Sequence, residues 1–86
     1  HVAFFFQNKK AEPFKVMVEP GEKEMHLNTH EGQEFNYILK GSMKIQVGER
    51  VEVVQEGDAM YYDSSCPHGM LAEGDTPCEF LAVIIK

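Results

Sequence analysis

Apolar residues in this chain come in short runs, and most of them alternate with polar residues. Residues 14–18 alternate in this way, and Val51 and Val53 flank Glu52. A period of two is the signature of a strand with one apolar face, and no segment has the period of an amphipathic helix. Turns rich in glycine separate the runs roughly every 8–12 residues, which is typical of an antiparallel sandwich or barrel. We therefore predict an all-β fold, a small antiparallel β-barrel. Its predicted strands are residues 2–7, 14–19, 24–28, 34–40, 42–47, 50–55, 59–63, 69–72 and 78–86.

Two of these predicted strands are apolar on both faces. In residues 35–39 and 80–85, both alternating sets of side chains are largely apolar. A strand that is apolar on both faces needs a cover outside the barrel. Residues 4–6 or a second subunit are the candidate covers, and we predict a symmetric homodimer because a small domain gains core from its partner.

The chain has 86 residues, and without a linker or internal repeat it is predicted to be a single domain over residues 1–86. It begins at His1 within an apolar run, which indicates the C-terminal fragment of a longer protein. A net charge of −6 disfavours direct contact with nucleic acid. No apolar run has the length of a membrane span, and no signal peptide is recognisable, so we predict a cytoplasmic location. Cys66 and Cys78 fit no disulfide framework and are predicted to be free thiols.

Three residues carry the candidate chemistry. His30 and Glu34 stand four positions apart across a turn that contains Gly32, and His68 follows Pro67 in a separate hairpin. Taken alone, a histidine on a strand is usually a solvated side chain. Two imidazoles and one carboxylate on rigid hairpins, however, are the ligand set that holds Fe, Mn, Ni or Zn with coordination positions left open.

The parity of side chains along a strand extends this site to a pocket. His26, Asn28 and His30 share one face of the predicted strand, and Glu34 shares its face with Asn36 after the turn. A polar face of this kind suits a strand that lines a wet cavity. The predicted ligand pocket is therefore formed by His26, Asn28 and Asn36, and Tyr61 is added as a candidate that strand parity does not fix.

The first hairpin resembles the first motif of the cupin superfamily. That motif reads Gly, five residues, His-x-His, three or four residues, Glu, six residues, Gly. Here His30, Glu34 and Gly41 match it, while the opening glycine, Gly21, is displaced by one position and Asn28 replaces the first histidine. The resemblance implies a jelly-roll-like double-stranded β-helix.

The second hairpin resembles the second cupin motif, with departures. Gly57 and His68 stand at the expected places, but Asp63 replaces a proline, Ser65 a glycine and Ala72 an asparagine. With Asn28 in place of a histidine, the resemblance implies a reduced ligand set and leaves three alternatives open. In the first, Asn28 adds a weak oxygen ligand to the metal. In the second, the metal is held by a facial triad of His30, Glu34 and His68 alone. In the third, the site is free of metal and binds only a small molecule.

A narrower resemblance covers residues 57–69. This run is similar to the cupin domain that bacterial XRE-type regulators carry after a helix-turn-helix domain. It implies a domain that senses a small-molecule effector and meets DNA only through an N-terminal domain. The same layout occurs in an iron-dependent epoxidase of a hydroxyalkyl phosphonate, so a metal-dependent (Fe or Mn) oxygenase or isomerase is the alternative. We favour the sensor and predict no catalytic residue, although Tyr61 or Glu34 would be the acid/base candidates of an enzyme.

Overall fold

The computed structural model describes residues 11–86, so the predicted strand at residues 2–7 and His1 lie outside the described part. Across residues 11–86, seven strands form two sheets whose pairings are all antiparallel. The order is β1-β7-β2-β5 in the first sheet and β4-β3-β6 in the second. The strands are β1 (Ala11–Val18), β2 (Gln33–Lys40), β3 (Ser42–Val47), β4 (Arg50–Gln55), β5 (Ala59–Asp63), β6 (His68–Ala72) and β7 (Cys78–Ile85). The all-β prediction is confirmed. Within residues 11–86, no helix has the length and hydropathy that a membrane crossing requires.

The prediction of a strand over residues 24–28 is wrong. This part of the β1–β2 loop is irregular, and only Asn28 forms a bridge, with His68 at the start of β6. β6 already pairs with β3 along its length, and its other edge offers this loop a single paired position. A strand needs a continuous partner, and residues 24–27 have none among the described residues.

The inner faces of the two sheets enclose a compact apolar cluster. Ile38 of β2, Met43 of β3 and Phe80 of β7 are almost fully buried there. Cys78 and Val54 complete one end of the cluster. Burial of these side chains is the main source of stability for a domain of this size.

The faces of β4 are the reverse of what the sequence pattern indicates. Val51 and Val53 are exposed, at 47% and 52% of their surface. The ladder with β3 places Arg50 opposite Val47, and Glu52 opposite the buried Ile45. Neighbours in a ladder share a face, so the charged residues of this edge strand lie on its inner side.

The outer face of the four-stranded sheet is apolar and partly open to solvent. Tyr37 and Leu39 of β2 are exposed, at 39% and 40%, while Phe35, Leu81 and Val83 are half-buried. The predicted cover for this face is not supplied by residues 11–86. A second subunit or the preceding residues therefore stay the predicted cover.

Candidate metal centre

His30, Glu34 and His68 meet between the sheets at one end of the sandwich. One ligand atom from each lies within 4.8 Å of the others. The Glu34 Oε1 atom is 3.2 Å from His30 Nε2 and 3.8 Å from His68 Nε2. The two imidazole rings are nearly perpendicular, with centroids 4.9 Å apart. Glu34 and His68 are each 5% exposed, whereas His30 is reached by solvent. The structure thus brings together the three residues that the sequence indicated.

Local backbone structure explains how His30 reaches this position. The His30 amide donates a hydrogen bond to the Ser64 carbonyl, and the Ser64 amide donates to the Gly32 carbonyl. Gly32 has a φ of 98°, and a Cβ at this position would collide with the carbonyl of Ile85. Only glycine allows this tight turn, because other residues rarely adopt such a backbone conformation. The turn holds His30 over Glu34 at the start of β2.

His68 is fixed by its own neighbours. Its amide and carbonyl exchange hydrogen bonds of 2.9 and 2.8 Å with Asn28, which is the isolated bridge described above. The Gly48 amide donates to the Pro67 carbonyl at 2.7 Å and so anchors the approach to β6. The His68 ring therefore projects inward from a backbone that is bound on both sides.

The hydrogen bonds of the two rings determine which nitrogen faces Glu34. His68 Nδ1 lies 2.9 Å from the Cys66 carbonyl, and His30 Nδ1 lies 3.2 Å from the Glu31 carbonyl. A carbonyl oxygen only accepts hydrogen bonds, so in both rings Nδ1 must carry the proton. Nε2 of each ring faces the same Glu34 oxygen. There it either donates a hydrogen bond to the carboxylate, as the 3.2 Å contact of His30 allows, or offers a lone pair to a cation.

This convergence of two Nε2 atoms on a carboxylate fits a divalent metal ion. Two imidazole lone pairs and a carboxylate oxygen repel one another unless a proton or a cation lies among them. Histidines that donate through Nδ1 to a carbonyl and offer Nε2 are the usual arrangement at metal centres. The residues present therefore fit a bound divalent cation with His30, Glu34 and His68 as ligands.

Tyr62 is the neighbour that sequence reasoning missed. It faces Glu34 in the ladder between β2 and β5, and its ring centroid lies 5.0 Å from that of His68. Its hydroxyl accepts a hydrogen bond of 3.3 Å from the Asn36 side chain. Burial, followed by the charge of Glu34 and a hydrogen bond to it, raises the pKa of Tyr62 far above its usual range. Tyr62 is therefore a neutral hydroxyl beside the cluster.

Tyr61, which the sequence placed in the pocket, lies on the opposite face of β5. It is 58% exposed, and its hydroxyl donates to the Gln33 side chain. Adjacent residues of a strand point to opposite sides of the sheet, so Tyr61 cannot share a face with Tyr62. The pattern of two consecutive tyrosines could not distinguish them. Only the pairing of β5 with β2 identifies the inner one.

The other predicted pocket residues are spread more widely. Asn36 is fully buried on β2, next along the inner face from Glu34. His26 and Asn28 are exposed in the β1–β2 loop. The His26 carbonyl lies against Gly69 so closely that a Cβ there would collide with it. His26 and Asn28 therefore reach β6 through their backbones, and a ligand role for the Asn28 side chain stays a prediction.

A family model, a related sequence and a similar solved structure all support the fold. A family model described as a cupin domain matches residues 14–84. The oxalate-binding protein of Thermotoga maritima is 35% identical over 79 residues, which are 91% of this chain and 65% of that protein. The cupin domain of an XRE family transcriptional regulator from Enterobacter cloacae superposes with a TM-score of 0.79 at 18% identity, over 90% of this chain and 82% of that one.

Enzymes are also among the similar structures. Hydroxypropylphosphonic acid epoxidase from S. wedmorenis, in complex with fosfomycin, superposes with a TM-score of 0.79 at 23% identity. The match covers 88% of this chain and 44% of the epoxidase, so the chain spans less than half of that enzyme and 65% of the oxalate-binding relative. Structures of FeII HppE and CoII HppE with substrate superpose with TM-scores of 0.79 and 0.78 at 24% and 22% identity, over 88% of this chain and under half of each enzyme. The family match spans both hairpins that carry the three clustered residues, and the chain belongs to the cupin family.

Proposed function

We propose that this chain is the small-molecule-sensing domain of a bacterial transcriptional regulator and that it holds a divalent metal through His30, Glu34 and His68. The observation that carries the metal site is the convergence of two imidazole Nε2 atoms on one Glu34 oxygen. A bound divalent ion would act there as a Lewis acid towards an oxygen atom of the effector. The curated relative named as an oxalate-binding protein supports the binding of a small molecule in this fold.

The residues around the cluster favour binding over turnover. Tyr62 stays protonated, because burial and Glu34 raise its pKa, so it donates or accepts hydrogen bonds but does not act as a base at neutral pH. Glu34 is itself a ligand of the proposed site. Asn36 supports Tyr62 and does not exchange protons. Within residues 11–86, the buried groups next to the cluster thus hold and orient a ligand and offer no spare general base.

A metal-dependent enzyme is the second candidate function. The structural likeness to HppE with Fe(II) or Co(II) favours it, as do the coordination positions that three protein ligands leave open. Such an enzyme would be an Fe or Mn oxygenase or an isomerase that acts on a small metabolite. Oxygen uptake by the Fe(II)-loaded protein in the presence of its ligand would support this candidate over the sensor.

The proposed regulator is a cytoplasmic homodimer that meets DNA through a separate N-terminal domain. The net charge of −6 argues against a direct contact between this chain and DNA. The partly exposed apolar face around Tyr37 and Leu81 supports an interface between two copies. Sedimentation equilibrium would measure the assembly. The sequence that precedes His1 in the intact protein should encode a helix-turn-helix domain, and a catalytic domain there would contradict the regulator.

The metal site is tested by elemental analysis of protein purified without chelators. We expect close to one equivalent of Fe, Mn, Ni or Zn in the wild type, and none in His30→Ala or His68→Ala. His26→Ala is the matched control, because it removes an exposed imidazole from the same loop without touching the cluster. Wild-type protein that is isolated folded but without metal would contradict the proposed site and leave only a metal-free sensor. Metal that stays bound in both ligand variants would contradict it as well.

A further inference from the structure

A cavity lies between the sheets, beside the candidate metal centre. It has a volume of about 350 Å³ and opens where the sheets part between their edge strands β4 and β5. Ile45, Val47 and Met60 form apolar walls, and the exposed Arg50 and Glu52 stand at the mouth. Tyr61, which was predicted to line the ligand pocket, also lines this cavity. A cavity of this size has the volume of a small organic ligand.

The charged pair at the mouth is oriented inward by the sheet. Arg50 pairs with Val47, and Glu52 pairs with Ile45, and both partners face the interior. Charged residues on the inner face of a small sandwich are uncommon, because an outward position keeps them hydrated at no cost. The pair remains hydrated, because the side chains of Arg50 and Glu52 are 79% and 50% exposed, and it therefore lies at the mouth of the cavity.

The Arg50 guanidinium is held in place and is still able to bind. Its Nε and Nη2 atoms donate to the same Glu52 oxygen at 2.9 and 2.6 Å. A guanidinium has five N–H donors, so three remain for a ligand. The side chain is largely open to solvent, and it is the one cation among the described residues that line the cavity. In a chain of net charge −6, attraction of an anion to this region depends on Arg50.

Tyr62 connects the cavity to the metal centre. Its ring lines the cavity, and its centroid is 5.0 Å from that of His68. A ligand in the cavity therefore packs against the same aromatic ring that contacts the cluster. Apolar walls, one oriented guanidinium and an adjoining metal centre together define the chemistry of the ligand.

We propose that this cavity binds a small monocarboxylate with an apolar body, whose carboxylate is held by Arg50. This inference rests on the proposed function, since it names the class of effector that the domain senses. A carboxylate matches the fork of a guanidinium, while Glu52 beside it repels a dianion more strongly than a monoanion. The apolar walls formed by Ile45, Val47 and Met60 take the rest of the molecule.

The test uses matched probes and matched variants. The first probe is 3-phenylpropanoate, compared with its uncharged primary amide in isothermal titration calorimetry of the full chain. Arg50→Gln and Lys44→Gln remove the same charge, but Lys44 lies on the outer face of the neighbouring strand. Glu52→Gln is matched by Glu56→Gln, which removes an exposed carboxylate from the β4–β5 turn. Metal content is measured on every sample.

We expect the carboxylate to bind the wild type at least about tenfold more tightly than the amide, and Arg50→Gln to abolish this preference. Lys44→Gln and Glu56→Gln should bind as the wild type does. Glu52→Gln should bind the carboxylate roughly two- to fivefold more tightly, because a competing negative charge is gone. Arg50→Gln should keep the metal content of the wild type.

Three results would overturn the inference: no preference for the carboxylate, equal losses in Arg50→Gln and Lys44→Gln, or displacement of the probe by inorganic phosphate at the same concentration. The last result would define a general anion site. Failure of the proposed function has a different signature. In that case metal is absent from all samples, including the wild type, while the contrast between Arg50 and Lys44 still reports on the cavity.

Discussion

The interior between the two sheets has two halves of opposite character. The apolar half contains Ile38, Met43, Val54, Cys78 and Phe80, and the polar half contains His30, Glu34, Asn36, Tyr62 and His68. A single strand, β2, contributes to both, because its buried inner positions run from Glu34 through Asn36 to Ile38. The change from polar to apolar takes place within five residues of one rigid strand.

The two halves of the interior differ in what their burial contributes to the free energy of folding. The apolar half gains free energy from burial, whereas burying a carboxylate and an amide costs free energy unless partners compensate. Asn36 Oδ1 and Ser64 Oγ are buried and have no hydrogen-bond partner among the described residues. A core selected for stability alone would replace such groups with apolar ones. The polar half is therefore the part of the interior whose residues stability alone does not explain.

Paired substitutions on the two halves should have the largest effects on stability. Phe80→Ala leaves a cavity in the apolar half and should lower the free energy of unfolding by about 3–5 kcal/mol. Asn36→Leu keeps the branched shape of the side chain in the polar half, and it removes the unpaired Oδ1 together with the hydrogen bond to Tyr62. It should lower that free energy by less than about 2 kcal/mol. Urea unfolding of metal-free protein measures both.

These two variants form a matched comparison because their strands are neighbours in one sheet. Asn36 pairs with Ala82, and Ile38 with Phe80, along the ladder between β2 and β7. Equal losses of stability in both variants would mean that the polar half contributes to folding as much as the apolar half does. The distinction between the two halves would then be wrong.

The two adjacent tyrosines give a second and smaller test. Tyr62→Phe removes the hydroxyl that bonds Glu34 and Asn36, and we expect metal affinity to fall by about tenfold, since groups that orient a metal ligand have effects of that order. Tyr61→Phe removes the same atom from the outer face and should leave the affinity unchanged. Competition with a chelating dye measures the affinity.

A change in the absorption spectrum of bound Co(II) would separate this role from a general loss of packing. In Tyr62→Phe, the freed Glu34 carboxylate should alter the coordination geometry and hence the spectrum. Unchanged spectra and affinities in both variants would show that the Tyr62 hydroxyl does not orient the site.

Much of the fold could be predicted because its signals are local. The bounds of β3, β4 and β5 agree with the predicted residues 42–47, 50–55 and 59–63. Glycines with positive φ, Gly41, Gly48 and Gly57, mark the turns beside these strands. Such a turn needs glycine wherever it occurs, so the sequence alone indicates where each strand ends.

Features that depend on contacts between distant strands could not be predicted. The inner face of β4 was assigned from Val51 and Val53, but the ladder with β3 turns Arg50 and Glu52 inward. For the same reason, the sequence predicted Tyr61 beside the cluster, whereas the register between β2 and β5 places Tyr62 there. A shift of one residue moves every side chain to the other face, and alternation alone does not say which face is the core.

The convergence of His30, Glu34 and His68 was predictable, because these residues stand in a fixed frame. His30 and Glu34 are joined by one short turn, so their contact is nearly a local property. His68 comes from a distant hairpin, and only its place in the motif linked it to them. Asn36 could also be predicted, from its parity with Glu34 on one strand, whereas no motif or parity fixes Tyr62 or Arg50.

The two cysteines provide the mildest test of the difference between the halves. Cys78 lies in the apolar half and is fully buried, whereas Cys66 is partly exposed near His68. Burial, and to a lesser degree the charge of Glu79, raises the pKa of the Cys78 thiol. A raised pKa means that the folded protein favours the protonated thiol, which is the unreactive form. The contribution of the protonated Cys78 thiol to the free energy of unfolding is complete below the usual pKa of a thiol. It declines as the pH rises towards the raised pKa of Cys78 in the folded protein.

Iodoacetamide at pH 8 should therefore label Cys66 in the folded protein and label Cys78 only as fast as the chain unfolds. Peptide mass mapping over time measures both rates, and the same reaction in urea gives the reference in which the two thiols react alike. Phe80→Ala should accelerate the labelling of Cys78, because it destabilises the half of the interior that protects this thiol. Equal labelling of both cysteines without urea would show that the apolar half opens as readily as the polar half, and that the division of the interior describes chemistry but not stability.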